Sequence, residues 1–121
     1  MKIALLGYGR MGKTIENIAK ARGHEIVAII DKDNPKDSLN DAEVAINFSI
    51  PSAAVENIKH ALNEGVAVVC GTTGWLNSLT DIESLCASKK GAFLYASNFS
   101  LGVNIFFALN EKLAQIMDNT N

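Results

Sequence analysis

Three glycines near the start of the chain have the spacing of a phosphate-binding turn. The stretch GYGRMG places Gly7, Gly9 and Gly12 between a short apolar run and a segment in which apolar residues recur at helical spacing. At such positions the first glycine permits a tight turn, the second lets a pyrophosphate approach backbone amides, and the third lets helix and strand pack closely. The following helix would direct the positive end of its dipole at the phosphates. This context favours a dinucleotide site over a plain strand-to-helix turn.

Charged residues near the turn would add to such a site. Arg10, inside the motif, either supplies positive charge beside the phosphates or is a solvated surface arginine. Asp31 closes the second apolar run, 24 residues after Gly7, where a carboxylate can accept the hydroxyls of an adenosine ribose and select NAD. The next residue, Lys32, would meet the 2'-phosphate of NADP or simply lie on the surface. The pair predicts NADH or NADPH as cofactor and leaves the preference open.

Other motifs follow predicted strands as well. CGTTGW, residues 70–75, has glycines and hydroxyls that would let a flat ring approach and hydrogen-bond its carboxamide, as in a nicotinamide platform. An ordinary loop is the alternative. NFS at 47–49 and SNFSLGVN at 97–104 occupy corresponding places, although spacing alone favours the core for Phe48 and Phe99. Because ligands of open α/β sheets bind beyond the carboxyl ends of the strands, all these motifs are expected at one edge with GYGRMG.

The elements that position these motifs alternate along the chain. Short apolar runs rich in β-branched residues predict strands at 3–7, 26–31, 44–49, 66–70 and 92–97. Helical spacing predicts helices in the first and third gaps between these runs, at 78–88 and at 101–117. The segment 32–43 is near the minimum length of a parallel crossover, so its helix is expected to be abbreviated or absent. Residues 1–121 are therefore predicted to form one Rossmann-like α/β domain, a doubly wound parallel sheet with helices on both faces.

Composition narrows the functional classes. The 121 residues are 48% apolar and 20% charged, a balance typical of one globular domain. Eleven basic residues against 13 acidic ones give a net charge of -2, so neither nucleic acid nor a membrane surface is expected as a partner. The apolar runs are too short for a membrane span or a signal peptide, which predicts a cytoplasmic protein.

The remaining reactive side chains do not form a catalytic set. Cys70 and Cys86 are expected to be reduced structural thiols, and no CxxC or histidine cluster predicts a metal site. His24 and His60 are expected on the surface. No carboxylate pair or activated nucleophile can be assembled at the ligand edge. The residues thus predict cofactor binding but no catalytic residue.

GYGRMG, GTTG and SNFSLGVN, in that order and each after a predicted strand, resemble the N-terminal domain of the 4-hydroxy-tetrahydrodipicolinate reductases, formerly dihydrodipicolinate reductases, of bacterial lysine biosynthesis. The similarity covers essentially all 121 residues. It implies a two-domain oxidoreductase that delivers hydride from NADH or NADPH to a cyclic dicarboxylate, giving tetrahydrodipicolinate on the route to diaminopimelate. It also implies that a C-terminal domain carries the catalytic residues and forms a homotetramer. On this resemblance the 121 residues are expected to lack that domain and to be inactive alone.

The resemblance also distributes the cofactor among the motifs. GYGRMG would hold the pyrophosphate, Asp31 and Lys32 the adenosine ribose, and the two later motifs the nicotinamide and its ribose. The family usually has an acid at the position of Asn47, so no charged role is assigned there. The expected cofactor-binding residues are Gly7, Tyr8, Gly9, Arg10, Met11, Gly12, Asp31, Lys32, Phe48, Gly71, Thr72, Thr73, Ala96, Ser97, Asn98 and Phe99.

Two other interpretations stay open at the level of sequence. One is a stand-alone NAD(H)-sensing Rossmann module without catalysis, which would have no need of a nicotinamide platform facing a substrate. The other is a different oxidoreductase of the same broad superfamily, such as a homoserine or aspartate-semialdehyde dehydrogenase, whose later motifs should differ.

Overall fold

A computed structural model describes residues 1–96. The predicted helix at 101–117 and the predicted site residues Ser97, Asn98 and Phe99 lie outside the described residues. The five strands are β1 (Lys2–Leu6), β2 (Glu25–Ile30), β3 (Val44–Asn47), β4 (Ala67–Cys70) and β5 (Phe93–Tyr95). The helices are α1 (Arg10–Ala21), α2 (Pro51–Asn63) and α3 (Leu79–Ser88), the last preceded by a 3₁₀ turn at Leu76–Ser78.

The strands form one parallel sheet in the order β2-β1-β3-β4-β5. The chain starts at β1, moves outward to β2, and then returns past β1 to continue in the opposite direction from β3. The order therefore reverses between β1 and β3, which is where an open α/β sheet forms its ligand crevice. The predicted parallel α/β class is confirmed, and residues 31–43 cross between β2 and β3 without a helix, as expected.

Helices cover both faces of the sheet. On one face α1 packs Ile15 and Ala19 against alternate strand residues such as Leu5. On the other face α2 and α3 bury Ile58 and Ile82 against the remaining strand residues. Because both faces are covered, the strands are apolar almost without interruption. The prediction of a doubly wound sheet is confirmed within residues 1–96.

Both histidines are partly exposed, and each also makes a contact with a distant part of the chain. His60 Nε2 lies 2.7 Å from the Asp37 carbonyl oxygen and 3.0 Å from a Glu64 carboxylate oxygen, so it connects α2 to the crossover segment 31–43. His24 is half-buried and its Nδ1 lies 2.9 Å from the amino group of Met1. The sequence did not indicate these two hydrogen bonds, because each joins residues 23 positions apart.

Membrane-spanning helices and metal-binding clusters are both missing from the part of the chain that the structure describes. No helix among residues 1–96 is long and apolar enough to cross a membrane. Across the same residues, no three histidine, cysteine or acidic side chains are grouped so that they could hold a metal ion.

Candidate functional site

A cleft of about 480 Å³ opens at the carboxyl ends of β1, β2 and β3, at the point where the strand order reverses. The structure brings the predicted residues from three separate segments together there. Those that line the cleft are Gly7, Tyr8, Gly9, Arg10, Met11, Asp31, Lys32 and Phe48. Gly12 is buried directly behind it, in the first turn of α1.

Two of the three motif glycines are required by the protein's own backbone. Gly7 has φ +98°, and a Cβ there would lie 2.3 Å from the backbone oxygen of Phe48. A Cβ on Gly12 would lie 2.6 Å from the backbone oxygen of Gly7. Side chains at either position would therefore force apart the β1 turn, α1 and the β3 loop.

Gly9 differs from the other two glycines. A Cβ at Gly9 would meet no atom within 4 Å, so nothing in the fold requires a glycine there for packing. Gly9 lies at the cleft and is the N-cap of α1, without a side-chain capping bond and without an acid in the first helical turn. The first backbone N–H groups of a helix have no acceptor within the helix, and together with the helix dipole they favour an anion. The open space at Gly9 therefore fits a pyrophosphate approaching these amides.

Tyr8 is held by contacts on the outer side of α1. Its hydroxyl donates a hydrogen bond to Glu16, whose other carboxylate oxygen lies 3.1 Å from Lys20 Nζ. These bonds from Tyr8 and Lys20 lower the pKa of Glu16, and the bond to Glu16 raises the pKa of Tyr8. Lys13 Nζ lies 5.6 Å from the centre of the Tyr8 ring. The ring is thereby fixed as a wall of the cleft.

The end of β2 presents Asp31 and Lys32 as exposed side chains at the cleft. Asn34, which the sequence analysis did not identify, holds the backbone behind them. Its Oδ1 accepts a hydrogen bond from the Asp31 N–H at 2.8 Å, and its Nδ2 donates to the Ile29 carbonyl at 2.8 Å. Asn34 thus fixes the stretch of backbone from which the Asp31 side chain extends.

Sequence reasoning also missed Pro35, Ile50, Ala53 and Asn57, which complete the cleft together with Ser49 of the NFS motif. Asn57 is a polar residue of α2 that is only 7% exposed. A buried polar residue on an otherwise apolar helix face is a signal that could have identified it. The others are brought to the cleft by the return of segment 31–43 and by the start of α2, which no local pattern indicates.

A second cavity of about 300 Å³ continues the cleft toward β4 and shares Met11, Phe48 and Ser49 with the first. The predicted residues Gly71, Thr72 and Thr73 line it together with Pro51. Ala96 lies close by, because its N–H donates to the Cys70 carbonyl at 3.2 Å.

Phe48 combines the two roles between which the sequence did not decide. Its side chain packs against the core on the α1 face of the sheet. It also lines both cavities. Phe48 is therefore part of the hydrophobic core and also part of the cleft wall.

The buried polar groups behind the second cavity satisfy one another. The Asn47 side chain is fully buried, accepts a hydrogen bond from Ser49 Oγ at 2.8 Å, and lies 3.6 Å from Cys70 Sγ. Burial raises the pKa of the Cys70 thiol, and the same cause raises that of Cys86. Both thiols are free, as predicted, and are protonated at neutral pH. The arrangement can bind and orient a ligand, and it offers no activated nucleophile among the described residues.

Comparison with known proteins identifies relatives that match almost the full length of the chain. Residues 1–99 match the family model described as dihydrodipicolinate reductase, N-terminus. A 4-hydroxy-tetrahydrodipicolinate reductase of Christiangramia forsetii is 55% identical, over 97% of this chain and 50% of the relative. One of Alkaliphilus metalliredigens is 38% identical, over 98% of this chain and 50% of the relative. The chain thus spans about half the length of these curated relatives.

Solved structures show the same fold at lower identity. A putative homoserine dehydrogenase from Archaeoglobus fulgidus superposes with a TM-score of 0.64 at 20% identity, covering 78% of this chain and 42% of that one. A hyperthermophilic archaeal homoserine dehydrogenase in complex with NADPH gives 0.63 at 15% identity, covering 79% and 43%. At these identities the likeness concerns the fold alone, whereas the family model matches residues 1–99, a range that contains GYGRMG and GTTG. The chain therefore belongs to the dihydrodipicolinate reductase family and corresponds to its N-terminal part.

Proposed function

We propose that this chain is the NAD(P)H-binding part of a 4-hydroxy-tetrahydrodipicolinate reductase. The observation that carries the proposal is the continuity of the two cavities at the carboxyl edge of the sheet. They join the glycine turn to the GTTG loop through Met11, Phe48 and Ser49. An extended molecule with a phosphate group in its middle fits this shape, and the names of the relatives supply the reaction.

The residues would divide the cofactor between them. The amides at the start of α1 and Arg10 would bind the pyrophosphate in the space beside Gly9. Asp31 and Lys32 would meet the adenosine ribose, with the carboxylate favouring NADH and the ammonium favouring NADPH. The exposed Thr73 and the neighbouring loop residues would surround the nicotinamide. Support for a nicotinamide cofactor also comes from the archaeal homoserine dehydrogenase of the same fold, which was solved with NADPH.

The bound cofactor would supply a hydride to the substrate. The chain's own contribution is to hold the nicotinamide end at the sheet edge in one orientation and to shield one side of it. We propose a cyclic dicarboxylate as the substrate, with the catalytic residues and a homotetramer interface supplied by a C-terminal domain. Catalysis in the cytoplasm is part of the same proposal. The alternative of a sensing module has no observation in its favour.

Two measurements test the proposal. Calorimetric titration of the 121-residue chain with NADH and with NADPH should show binding of at least one of them. A version extended by its natural downstream sequence should consume NAD(P)H when the cyclic substrate is added, whereas the 121-residue chain should not. An extended protein that binds cofactor but never oxidises it with this substrate would exclude the reductase.

A further inference from the structure

The loop after β3 and the loop after β4 face each other across the second cavity. Regular pairing of these strands ends at Asn47 and Cys70, and one more backbone bond follows, from the Gly71 N–H to the Asn47 carbonyl at 2.9 Å. Beyond that point Ser49 and Thr72 lie opposite each other, in segments that have left the strands. Backbone pairing alone therefore does not fix the spacing between the two loops.

The Thr72 hydroxyl takes over where the strand pairing ends. Its Oγ1 accepts a hydrogen bond from the Ser49 N–H at 2.9 Å and donates one to the Ser49 carbonyl at 3.1 Å. The Thr72 hydroxyl thus pairs with both the N–H and the carbonyl oxygen of Ser49, as the backbone of a neighbouring strand would. The side chain is also buried, with Thr72 only 6% exposed, so water competes little for these bonds.

Thr72 itself is anchored to the core from the opposite side. Its carbonyl oxygen accepts a hydrogen bond from Trp75 Nε1 at 2.6 Å. Trp75 is 3% exposed and makes edge-to-face contacts with Phe93 and Tyr95 at 5.7 and 5.3 Å between ring centres. The contacts thus run from the aromatic cluster through Thr72 to Ser49.

We propose that Thr72 is a positioning residue, which fixes the distance between the Phe48–Ser49 loop and Thr73 and so sets the width of the nicotinamide end of the cleft. The proposal rests on the proposed function and assigns Thr72 a role different from that of its neighbour. Thr73 is exposed at the cavity and would contact the cofactor directly. The Thr72 hydroxyl is already engaged by the protein and would act through Ser49.

Matched substitutions separate this role from a general effect on folding. Thr72→Val keeps the shape but can neither accept from nor donate to Ser49, whereas Thr72→Ser keeps the hydroxyl. Thr80→Val makes the same chemical change at an exposed position of α3 and serves as the control. Each form of the 121-residue chain is titrated with NADH and with ADP, which has neither the nicotinamide nor its ribose.

We expect Thr72→Val to weaken NADH binding by about tenfold, because the two bonds to Ser49 are lost and the loop is no longer fixed beside the nicotinamide end of the cleft. ADP affinity should change less than twofold, because the adenosine and pyrophosphate positions do not involve Thr72. Thr72→Ser should restore most of the NADH affinity, and Thr80→Val should match the wild type.

Three results would overturn the inference. Thr72→Val could bind NADH like the wild type, it could weaken both ligands equally, or Thr72→Ser could fail to restore binding. If Thr72→Val does not fold by circular dichroism, Trp75→Phe decides. That change removes the indole donor to Thr72 and keeps an aromatic ring beside Phe93 and Tyr95. A loss of NADH affinity with ADP affinity unchanged supports the inference, whereas unchanged affinity for both contradicts it. A wild-type chain that binds neither ligand would instead contradict the proposed function.

Discussion

The glycine turn after β1 and the GTTG loop after β4 lie at the same sheet edge but are held in place by opposite means. The first depends on side chains that are missing: Gly7 and Gly12 let backbone pack on backbone at distances that no Cβ would permit. The second depends on side chains that are present, because the Thr72 hydroxyl and the Trp75 indole fix its backbone. A binding loop can therefore be made rigid either by close backbone packing at glycines or by buried side-chain hydrogen bonds.

The two designs should fail differently. The glycine turn has no room for an added Cβ at Gly7 or Gly12, where it packs on other backbone atoms. It has room for a Cβ at Gly9, which faces the cleft. A hydrogen-bonded loop keeps its shape when a polar atom is replaced by a methyl group of similar size, and it loses the bonds that fix its position. The four predictions below use this contrast, from the largest expected effect to the smallest.

Gly7→Ala should cause the largest loss, and it should be a loss of stability. The new Cβ would overlap the Phe48 backbone oxygen at 2.3 Å, and φ +98° is unfavourable for alanine. Backbone strain of about 1–3 kcal/mol and displacement of the β3 loop add together, so the free energy of unfolding should fall by about 3 kcal/mol or more. Urea denaturation followed by circular dichroism measures this. An unchanged midpoint would show that the turn is not sterically locked.

Gly9→Ala makes the same chemical change two residues later with the opposite outcome. Its Cβ would meet no protein atom within 4 Å, and Gly9 already has an extended backbone with φ -84°. The free energy of unfolding should therefore change by less than about 1 kcal/mol, the range of N-cap substitutions. NADH affinity should fall by about thirtyfold, or about 2 kcal/mol, because the methyl group occupies the approach of the pyrophosphate. Calorimetry and urea denaturation on one sample test both statements, and full NADH affinity would remove Gly9 from the site.

The sequence predicted the steric turn better than the hydrogen-bonded loop, and the reason is physical. A position that excludes every side chain leaves glycine as the residue, so Gly7 and Gly12 can be recognised one residue at a time. The strands and helices could be predicted equally well, because burial on both faces of the sheet produces continuous apolar runs and helix packing produces apolar residues with a period of 3.6. The parallel fold and the position of the cleft follow from these local signals.

Thr72 and Thr73 show what the sequence did not reveal. They are adjacent and of the same residue type, yet one is buried against Ser49 and the other is exposed at the cavity. The partner that distinguishes them lies 23 residues away. Asn34 and Asn57 were missed for a related reason, since the path of the helix-free crossover places Asn34 behind Asp31 and the packing of α2 brings Asn57 to the cleft. Contacts between distant segments carry no local pattern, and the assignment of cofactor contacts to individual residues stays a prediction.

Asp31→Ala tests a side chain that would contact the ligand directly, at the outer end of the cleft. Its carboxylate is exposed, and Asn34 holds the backbone independently of it, so the free energy of unfolding should stay nearly unchanged. Loss of charged hydrogen bonds to the ribose should weaken NADH by about tenfold, within the 1.5–3 kcal/mol typical of such bonds. NADPH should lose less, because Lys32 would remain to meet its phosphate. Equal losses for the two cofactors, measured by calorimetry, would remove Asp31 from the ribose site.

Substitution of His24, which lies outside both loops, should have the smallest effect, and it concerns the pH dependence of stability. Burial, together with the positive charge of the chain's amino terminus, lowers its pKa in the folded state below the usual 6.5. The unfolded state therefore binds the proton first as pH falls, so the stability contributed by neutral His24 is present above about pH 6.5 and is lost below it. His24→Gln should flatten this part of the stability profile between about pH 7.5 and 5.5, and the partly exposed ring keeps the change small. NADH affinity of the variant at pH 7.5 should equal that of the wild type, because His24 lies at the edge of the sheet away from the cleft. A variant whose unfolding free energy follows the wild-type pH dependence would show that another group is responsible.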